Sequence, residues 1–337
     1  MILVTGGTGL VGAHLLYFLT LDNDAVRATR RKTSNLEPVK SIFKSYTENY
    51  SHLYDKIEWI EADITDVYSL EIAFRGITQV YHSAALISFN PKDYLSMRKI
   101  NIEGTSNIVN FCISEQIEKL CFVSSIASID KNGKDEPIDE NREWNHENNN
   151  YGYAITKYGA EMEVWRASQE GVPVVIVNPG VILGSGIWDQ GSGKIFSKVF
   201  KGMPFYTQGI TGYVTVKDVV KAMKLLMKSS IENERFILVS ENLSFKFIFS
   251  KIATSFSKKP PRIRVRRWMS ELAWRMEVFT SFFTKKAPLL TKQSAKSIHN
   301  TYYFSSKKIQ VKLQFSFESI EEEIPKICEE YLKTKKA

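Results

Sequence analysis

The sequence predicts an α/β fold in which one doubly wound parallel sheet carries helices on both faces. Short apolar runs rich in β-branched residues alternate with helix-like segments, and this order is typical of strand–helix–strand units. The crossovers in such units are nearly always right-handed, which leaves the doubly wound sheet as the main candidate. The predicted strands are Met1–Thr5, Val26–Thr29, Ile57–Ile60, Gln79–His82, Leu120–Ser124 and Val174–Val177. The predicted helices are Gly12–Leu21, Tyr68–Phe74, Ile102–Ser114 and Ala154–Ser168.

The chain changes character after Pro179, and this change predicts a second, smaller C-terminal domain. Two short glycine-serine runs follow this residue, and we expect them to form loops near a site. Two later apolar runs, Val214–Val216 and Phe236–Val239, are interpreted as strands that return to the sheet. The expected larger domain covers 1–178 with return segments near 213–240, and the smaller one covers 179–212 and 241–330.

Composition and charge place the chain among ordinary globular proteins. Of its 337 residues, 43% are hydrophobic and 24% are charged, and the formal net charge is +8. A basic balance can attract phosphates, but no basic motif interleaved with aromatic residues supports a nucleic-acid partner. The three cysteines form no Cys-x-x-Cys pair and no metal-ligand spacing is present, so we expect buried free thiols and no metal site.

Two features of the sequence favour a cytoplasmic protein. The first predicted strand begins at Met1, which leaves no room for a signal peptide. No apolar run approaches the ~18 residues that a membrane-spanning helix needs. We therefore expect a cytoplasmic location.

A glycine-rich loop joins the first strand to the first helix. Its glycines satisfy the Gly6, Gly9, Gly12 spacing and also the stricter spacing that starts at Gly7. Glycine suits this loop because the turn is tight and the backbone must approach a pyrophosphate, to which the helix N-terminus offers free N–H groups. The loop therefore predicts the dinucleotide site of a Rossmann fold. The predicted contacts are Thr5, Gly6, Gly7, Thr8, Gly9, Leu10, Val11 and Gly12.

The end of the second strand indicates which dinucleotide is bound. An NAD-type fold usually places Asp or Glu there, on the ribose 2′-hydroxyl. This chain has Arg30, Arg31 and Lys32 instead, and arginine forks suit a 2′-phosphate. NADP(H) is therefore favoured and NAD(H) is the second candidate, with Arg31 and either Arg30 or Lys32 as the clamp. The alternative is a solvated surface cluster.

The third strand is followed by Asp63 and Ile64, which are candidate cofactor contacts. The Asp63 carboxylate lies where it can accept a hydrogen bond from an adenine amino group. The alternative is a local role as a helix N-cap near Thr65, and the sequence does not separate the two.

The fourth strand ends at His82, and small residues follow it. Ala84 and Ala85 would let the backbone lie along a bound cofactor. A single histidine at this position favours a structural role over a catalytic one.

A tyrosine four residues before a lysine forms the candidate catalytic pair. Tyr153 and Lys157 share one helical face, so the ammonium can stabilise a tyrosinate and lower the phenol pKa from its usual ~10. The lysine can also reach nicotinamide ribose hydroxyls. Ser125, just past a strand end, can hydrogen-bond a substrate carbonyl, while Tyr153 acts as general acid or base.

Two ambiguities accompany this assignment. Ser124 is a rival to Ser125, because the alternation of strand side chains does not decide which serine faces the site. The same tyrosine–lysine spacing recurs at Tyr331 and Lys335 in a predicted C-terminal surface helix, and we interpret that second copy as chance.

These motifs resemble those of the extended short-chain dehydrogenases/reductases, the NAD-dependent epimerase/dehydratase group. The matching positions are Thr5, Gly6, Gly9, Gly12, Asp63, His82, Ala84, Ala85, Asn101, Ser125, Tyr153 and Lys157. The resemblance covers nearly the whole chain and implies a substrate-binding C-terminal domain. It also implies that Asn101 helps to hold the active-site helix and a water. Without the resemblance, the sequence around Asn101 would suggest a helix cap.

Two stretches resemble one branch of this group, which contains the dihydroflavonol, cinnamoyl-CoA and 3β-hydroxysteroid dehydrogenase-like proteins. They are Val26–Arg31 and Asn178–Gly184, and the second provides Pro179 and Val181 as further predicted cofactor contacts. The branch implies an NADP-linked reductase of ketones or aldehydes. Ser185 departs from the branch, where proline is usual, and no pattern supports transfer of a plant substrate.

The favoured activity is reduction of a ketone or aldehyde on a hydrophobic or medium-sized small molecule. The first alternative is a nucleotide-sugar epimerase or dehydratase that retains its cofactor, and the second is a non-catalytic NADP-binding regulator. We expect specificity residues between Asn178 and Phe304. The family implies a homodimer formed through helices near Ile102–Ser114 and Tyr153–Ser168.

A basic segment, Lys258–Arg267, precedes a predicted helix at Trp268–Phe283. The apolar residues that recur at helical spacing are Trp268, Leu272, Met276, Phe279 and Phe283. The favoured interpretation is a helix of the smaller domain that buries this stripe. The alternative is a peripheral membrane or acyl-substrate contact, because a basic approach to an amphipathic aromatic helix suits an interface.

Overall fold

The computed structural model describes residues 1–22, 25–131, 137–145, 151–284 and 291–336. Its strands are β1 (Ile2–Thr5), β2 (Val26–Arg30), β3 (Ile57–Glu61), β4 (Gln79–His82), β5 (Lys119–Val123), β6 (Val174–Pro179), β7 (Val181–Leu183), β8 (Phe205–Tyr206), β9 (Ile210–Thr215), β10 (Glu234–Leu238), β11 (Glu241–Ser244) and β12 (Ile263–Arg264). Seven of them form one fully parallel sheet in the order β3-β2-β1-β4-β5-β6-β10. The predicted doubly wound sheet is thus confirmed.

Helices cover both faces of this sheet. The α-helices are α1 (Leu10–Leu21), α2 (Glu37–Tyr46), α3 (Ser51–Tyr54), α4 (Val67–Phe74), α5 (Tyr94–Met97), α6 (Gly104–Ser114), α7 (Gly152–Gln169), α8 (Gly193–Phe200), α9 (Val216–Lys228), α10 (Phe245–Ser255), α11 (Arg267–Thr284), α12 (Lys292–Ser297), α13 (Lys307–Leu313) and α14 (Ile320–Lys336). Short 3₁₀ helices lie at Pro91–Asp93 and Ile126–Ser128, and a π-helical turn lies at Arg98–Glu103. None of the described helices combines the length and hydropathy needed to cross a bilayer.

The strand order reverses between β1 and β4. The chain runs outward from β1 through β2 to β3 and then returns to place β4 on the other side of β1. Ligands of open α/β sheets bind outside the carboxyl ends of the strands at such a reversal. Thr5 of β1 and His82 of β4 end these two strands and are register partners. This reversal positions the site.

The near-continuous apolar strands follow from burial on both faces. Leu3 and Val4 of β1 point to opposite sides, and both are fully buried. Val4 belongs to the apolar cluster beneath α1 and α9, whereas Leu3 belongs to the cluster beneath α4, α6 and α7. All six strands predicted before position 178 are present, with ends that differ by at most two residues.

One of the two predicted return strands is wrong. The predicted Phe236–Val239 strand corresponds to β10, which pairs with β6 in the large sheet. The predicted Val214–Val216 strand instead overlaps β9, which lies between β7 and β11 in a separate three-stranded sheet. Because α9 begins at Val216, this return segment contributes a covering helix to the large sheet and no strand.

The favoured interpretation of the α11 stripe is also wrong. Trp268, Leu272 and Met276 are exposed, while Ser270 is buried and is hydrogen-bonded to His299 after α12. The helix therefore packs through the face that carries Ser270 and turns its apolar stripe outward. The side chains of Phe279 and Phe283, predicted to continue the stripe, lie outside the described residues.

Candidate active site

The glycine loop lies at the carboxyl end of β1, in the crevice beside β4. Gly6 has a φ of +71°, and a Cβ on it would lie 2.6 Å from the Ala84 nitrogen. A Cβ on Gly12 would lie 2.2 Å from the Gly6 oxygen, and the Gly9 N–H donates to that same oxygen at 2.9 Å. The loop can therefore keep this shape only with glycine at positions 6 and 12.

The other predicted loop residues divide into supporting and accessible groups. Thr5 and Val11 are buried, and Thr5 contacts His82 through its hydroxyl. Thr8 and Leu10 are half-buried and Gly9 is exposed at the start of α1. Gly7 packs against Leu16 and Ala28, and Ala85 is exposed. The accessible part of the loop therefore consists of Gly6 and residues 8–10.

The cations in β2 and directly after it are of two kinds. Arg27 is structural, because it pairs with Glu58 at 3.0 Å and donates to the carbonyl oxygens of Ala73 and Arg75. Positions 31 and 32 are exposed and position 30 is half-buried. Within the described part of the chain, none of these three forms an ion pair. Their charges are therefore directed to solvent at the carboxyl end of β2.

Asp63 makes a local turn. Its Oδ1 accepts from the backbone nitrogen and the hydroxyl of Thr65, at 2.9 and 2.8 Å. The helix that follows, α4, is capped by Asp66, so the predicted helix N-cap at Asp63 is wrong in detail although the residue does cap a turn. Ile64 is buried against Gly104 of α6. The Ile64 side chain therefore packs in the core.

His82 is a structural residue, as its position in the sequence favours. It is fully buried, with Nδ1 2.6 Å from the Thr5 hydroxyl and Nε2 2.9 Å from the Thr105 hydroxyl. Burial lowers the pKa of His82 to about 3, and the nearby charge of Lys157 acts in the same direction. A neutral imidazole therefore bridges β1, β4 and α6.

Ser125 and Tyr153 are brought together, and Ser124 is directed elsewhere. The Ser125 side chain lies beside the Tyr153 phenol and acts to lower its pKa, and the Ser125 Oγ accepts from the Ala127 N–H at 3.1 Å. The Ser124 hydroxyl donates to Glu161 at 2.6 Å on the buried side. Of the two serines, Ser125 is the one that lies beside Tyr153, and Ser124 faces the buried Glu161.

The Tyr153 phenol is strongly buried in the first turn of α7. Burial raises the pKa of Tyr153 to about 12, against the lowering effect of the Ser125 hydrogen bond. The sequence predicted a lowered phenol pKa through Lys157, and this expectation is wrong for the chain alone. The physical reason is that loss of solvent disfavours the tyrosinate more than the surrounding groups stabilise it.

Lys157 lies one turn beyond Tyr153 and is almost fully buried. Its Nζ donates to the Val123 carbonyl at 2.7 Å and lies 4.4 Å from the centre of the Phe122 ring. Burial lowers the pKa of Lys157 to about 7, and the charge of Glu161 opposes this change. An ammonium has three N–H donors, so two remain after the bond to Val123.

A buried network behind the site is centred on Glu161. Its Oε2 accepts from Ser124 at 2.6 Å, Ser128 at 2.8 Å and Asn178 at 2.9 Å. Its Oε1 accepts from Arg235 at 3.0 Å, so β10 is tied to α7. Asn178 also donates to the Ser125 carbonyl, and that carbonyl, 2.7 Å from the Ser128 hydroxyl, is an alternative acceptor for the single hydrogen of this hydroxyl. The network therefore fixes the backbone that carries Ser125.

Asn101 connects two walls of the site. Its Oδ1 accepts from the Leu86 N–H at 2.7 Å, and its Nδ2 donates to the Leu86 carbonyl and to the Thr156 hydroxyl, both at 3.0 Å. Asn101 lies in the π-helical turn and caps no helix. It therefore ties the segment after β4 to α7, next to the tyrosine.

A cavity of about 330 Å³ opens beside Tyr153. It lies between residues 88–97 and 151–155, and its walls include Phe89, Tyr94, Met97 and Tyr151. The walls are largely aromatic and apolar. Among the described residues, none from the expected specificity region between positions 178 and 304 lines this cavity.

Several residues of the site were not selected from the sequence. Glu161 lies at the next helical repeat after Tyr153 and Lys157, so the four-residue spacing could have identified it. The wall at 88–97 carries no motif.

The predicted cofactor contacts Pro179 and Val181 lie at the end of β6 and the start of β7. Pro179 is buried there and Val181 is half-buried.

Sequence comparisons place this geometry in a family. The family model described as "Male sterility protein", an NAD-binding family, matches residues 4–229. A protein of Synechocystis sp. named "Putative dihydroflavonol 4-reductase" is 28% identical over 91% of this chain and 88% of its own length. Sterol demethylase protein B of Methylococcus capsulatus is 24% identical over 88% of each chain. Cinnamoyl-CoA reductase 1 of Petunia hybrida is 23% identical over 77% of this chain and 78% of its own length.

Solved structures share the whole fold. The crystal structure of gox2253 superposes with a TM-score of 0.81 at 24% identity and covers 99% of this chain and 98% of that protein. UDP-glucose 4-epimerase of Thermotoga maritima superposes with a TM-score of 0.77 at 20% identity, with 99% of each chain covered. The chain therefore belongs to the NAD-binding family described as male sterility protein and is an NAD(P)-dependent enzyme of the extended short-chain dehydrogenase/reductase type.

Proposed function

We propose that the protein is an NADP(H)-dependent reductase of a ketone or aldehyde carried on a hydrophobic small molecule. The observation that carries this proposal is the position of Tyr153, which lies beside Ser125 with Lys157 one turn away, in the wall of an aromatic cavity. Relatives named as reductases support the reaction class. The apolar walls formed by Phe89, Tyr94 and Met97 support a hydrophobic substrate.

The residues at the strand ends fit a dinucleotide. The backbone of the glycine loop approaches so closely at Gly6 and Gly12 that no Cβ fits, which is the shape expected where backbone approaches a pyrophosphate. The two free N–H donors of Lys157 suit ribose hydroxyls. Pro179 and Val181 lie beside this path and are proposed to line the nicotinamide end.

The cations at positions 30 to 32 support the choice of NADP(H). Three positive side chains stand at the end of β2 without an acidic partner among the described residues. A 2′-phosphate would supply that partner, with a fork at Arg31 and a second contact from Arg30 or Lys32. Asp63 retains Oδ2 for the adenine amino group, since Thr65 uses Oδ1 alone.

The protein's own groups supply the proton and the polarisation. A bound nicotinamide supplies the hydride. Ser125 donates its hydroxyl to the substrate carbonyl oxygen, and Tyr153 donates its phenolic proton to the same oxygen as negative charge develops there. Because the pKa of Tyr153 is about 12, the phenol is protonated at neutral pH, which favours the reductive direction.

A screen of NADPH oxidation tests the proposal. The purified chain is assayed with aldehydes, ketosteroids, flavonoid-like ketones and nucleotide sugars. We expect NADPH consumption with an apolar aldehyde or ketone and none with a nucleotide sugar. Tightly bound NAD(H) with interconversion of nucleotide sugars, and no net turnover of NADPH, would replace the proposal with an epimerase or dehydratase. NADPH binding without turnover of any substrate would indicate a regulator.

Two further expectations belong to this proposal. We propose that the enzyme acts in the cytoplasm and that it forms a homodimer through α6 and α7. Light scattering and cell fractionation test these two points separately from the reaction.

A further inference from the structure

The outward face of α11 is a feature that the proposed reaction leaves unused. Trp268, Leu272 and Met276 are 64%, 54% and 59% exposed. Side chains four residues apart share one helix face, so the three form a continuous apolar stripe. Single exposed apolar side chains are ordinary, but a contiguous patch marks an interaction surface.

The rest of the chain leaves this stripe uncovered in the described structure. The helix packs through Ser270, which is buried and lies 2.8 Å from His299 Nε2. On an α-helix Ser270 points ~160° away from Leu272, at the centre of the stripe. The stripe therefore faces away from the α11–α12 contact.

A strand pair, of which one strand precedes the helix closely in sequence, carries further exposed apolar side chains. Phe205 of β8 and Ile263 of β12 are register partners, and each is about half exposed. β12 ends at Arg264 and α11 begins at Arg267, so two residues separate the strand from the helix. The apolar–basic patch is defined here as Phe205, Ile263, Trp268, Leu272 and Met276 with the arginines between them.

The charge around the stripe is strongly positive. Residues 258–277 contain seven lysines and arginines and two glutamates. Arg262, Arg264, Arg266 and Arg267 are exposed, and no described residue forms an ion pair with them. Arg275 pairs with Glu271 at 3.0 Å, which neutralises one of the two acids locally. The partner of this surface must therefore be both apolar and anionic.

We propose that the apolar–basic patch docks on the surface of an anionic lipid bilayer. In this arrangement α11 lies in the plane of the interface, the stripe enters the boundary between headgroups and acyl chains, and the arginines reach the phosphates. Tryptophan suits that depth because its ring is apolar and its N–H is polar. A second copy of the chain is disfavoured, since a symmetric contact would oppose the same arginines.

Vesicle co-sedimentation with the full chain tests the proposal. Phosphatidylcholine vesicles with and without phosphatidylserine are compared at low and high ionic strength. We expect binding to the anionic vesicles, weakened by salt. The triple variant W268S/L272S/M276S and the charge reversal R262E/R264E should each weaken binding by at least about tenfold.

Matched controls separate a docking surface from general stickiness. The variant V67S/Y68S/I72S removes three exposed apolar residues from α4, and K44E/K99E reverses two exposed lysines elsewhere. Both controls should bind vesicles as the wild type does. Turnover of a water-soluble carbonyl substrate by all variants reports on the reaction independently, so loss of docking and failure of the proposed activity are distinguishable.

Three results would overturn the proposal. One is absence of wild-type binding to phosphatidylserine vesicles at low salt. Another is equal loss of binding in the α4 control and the α11 variant. The third is an α11 variant that still binds vesicles as the wild type does but has lost a concentration-dependent dimer, or a complex with an acidic protein, that the wild type forms.

Discussion

Glu161 lies one helical turn beyond Lys157 on α7, and its buried carboxylate opposes the fall in the lysine pKa that burial causes. The same carboxylate holds Arg235 at 3.0 Å and accepts three further hydrogen bonds. One buried charge therefore tunes the lysine and fixes the segment that carries Ser125. Glu161 is a positioning residue, since no part of it borders the cavity.

Replacing Glu161 by Gln should affect stability and catalysis separately. The variant removes the charge that pairs with the largely buried Arg235, which keeps its bonds to the Glu140 and Arg142 carbonyls, and this loss costs about 3–5 kcal/mol in the free energy of unfolding. It should also lower the Lys157 pKa further, so the pH at which kcat/KM declines should move to a lower value. Thermal unfolding and a pH profile measure the two effects.

A double variant, E161Q/R235M, is the control for this prediction. Removal of both charges should restore much of the stability but leave the pH profile displaced. If the double variant recovers the wild-type profile as well, Glu161 has only a structural role.

The pH dependence of carbonyl reduction should show a decline centred near pH 7. The Lys157 pKa lies at about 7, so its ammonium form is progressively lost as the pH rises through this value, while the Tyr153 phenol stays protonated. The profile of kcat/KM reports groups of the free enzyme. We therefore expect activity to be highest on the acidic side and to fall toward pH 9.

A second lysine, Lys131, offers a control for the pH prediction. Burial lowers the pKa of Lys131 to about 8, close enough to be confused with Lys157. The Lys131→Met variant should keep the decline near pH 7. A profile that stays level to pH 9 in the wild type would contradict the assignment to Lys157.

Replacing Arg31 by Ala should change cofactor preference. The loss of a charge-assisted fork to a 2′-phosphate should raise the KM for NADPH by about tenfold or more, and NADH lacks that phosphate. The KM for NADH should change little. Lys44→Ala, at another exposed cation, should alter neither value, and equal effects of Arg31→Ala on both cofactors would refute the clamp.

Replacing Asn101 by Ala should destabilise the protein and slow the reaction. The change leaves the Leu86 N–H and carbonyl without their partner, at a cost of about 1–3 kcal/mol for each buried group. It also releases α7 at Thr156, so kcat should fall. Asn107→Ala, which loses one bond to the Ile64 carbonyl, is the matched control and should cost less in thermal unfolding and leave kcat unchanged.

The sequence predicts the large sheet well because both of its faces are covered. A strand that is buried on both faces has an almost continuous apolar sequence, so each strand can be recognised from its residues alone. The Gly6–Gly12 loop can be recognised in the same way, because its turns depend only on the residues within it. The sheet to which β9 belongs could not be predicted from the sequence, because an apolar run indicates a strand but not its pairing partners. The pKa of Tyr153 was mispredicted because its main cause is burial. The spacing between Tyr153 and Lys157 indicates that the two residues are neighbours, but it does not indicate how far the phenol is removed from solvent.

The α11 stripe could be identified from the sequence, but its exposure could not. Residues at helical spacing such as Trp268 and Leu272 predict one apolar face, but not whether the chain has a second element to cover it. The helix packs through Ser270 because the partner after α12 offers His299 at that position. Tertiary context, absent from the local pattern, decides which face is buried.

The most direct test of the account is the Tyr153→Phe variant, with Tyr151→Phe as its neighbouring control. Removal of the proton donor should lower kcat for carbonyl reduction by about 10²–10⁴-fold, while the Kd for NADPH and the Tm stay close to those of the wild type. The Tyr151→Phe variant should retain kcat within a few-fold, because the Tyr151 side chain lines the cavity but does not lie beside Ser125. A Tyr153→Phe protein that reduces the substrate at the wild-type rate would contradict the central claim.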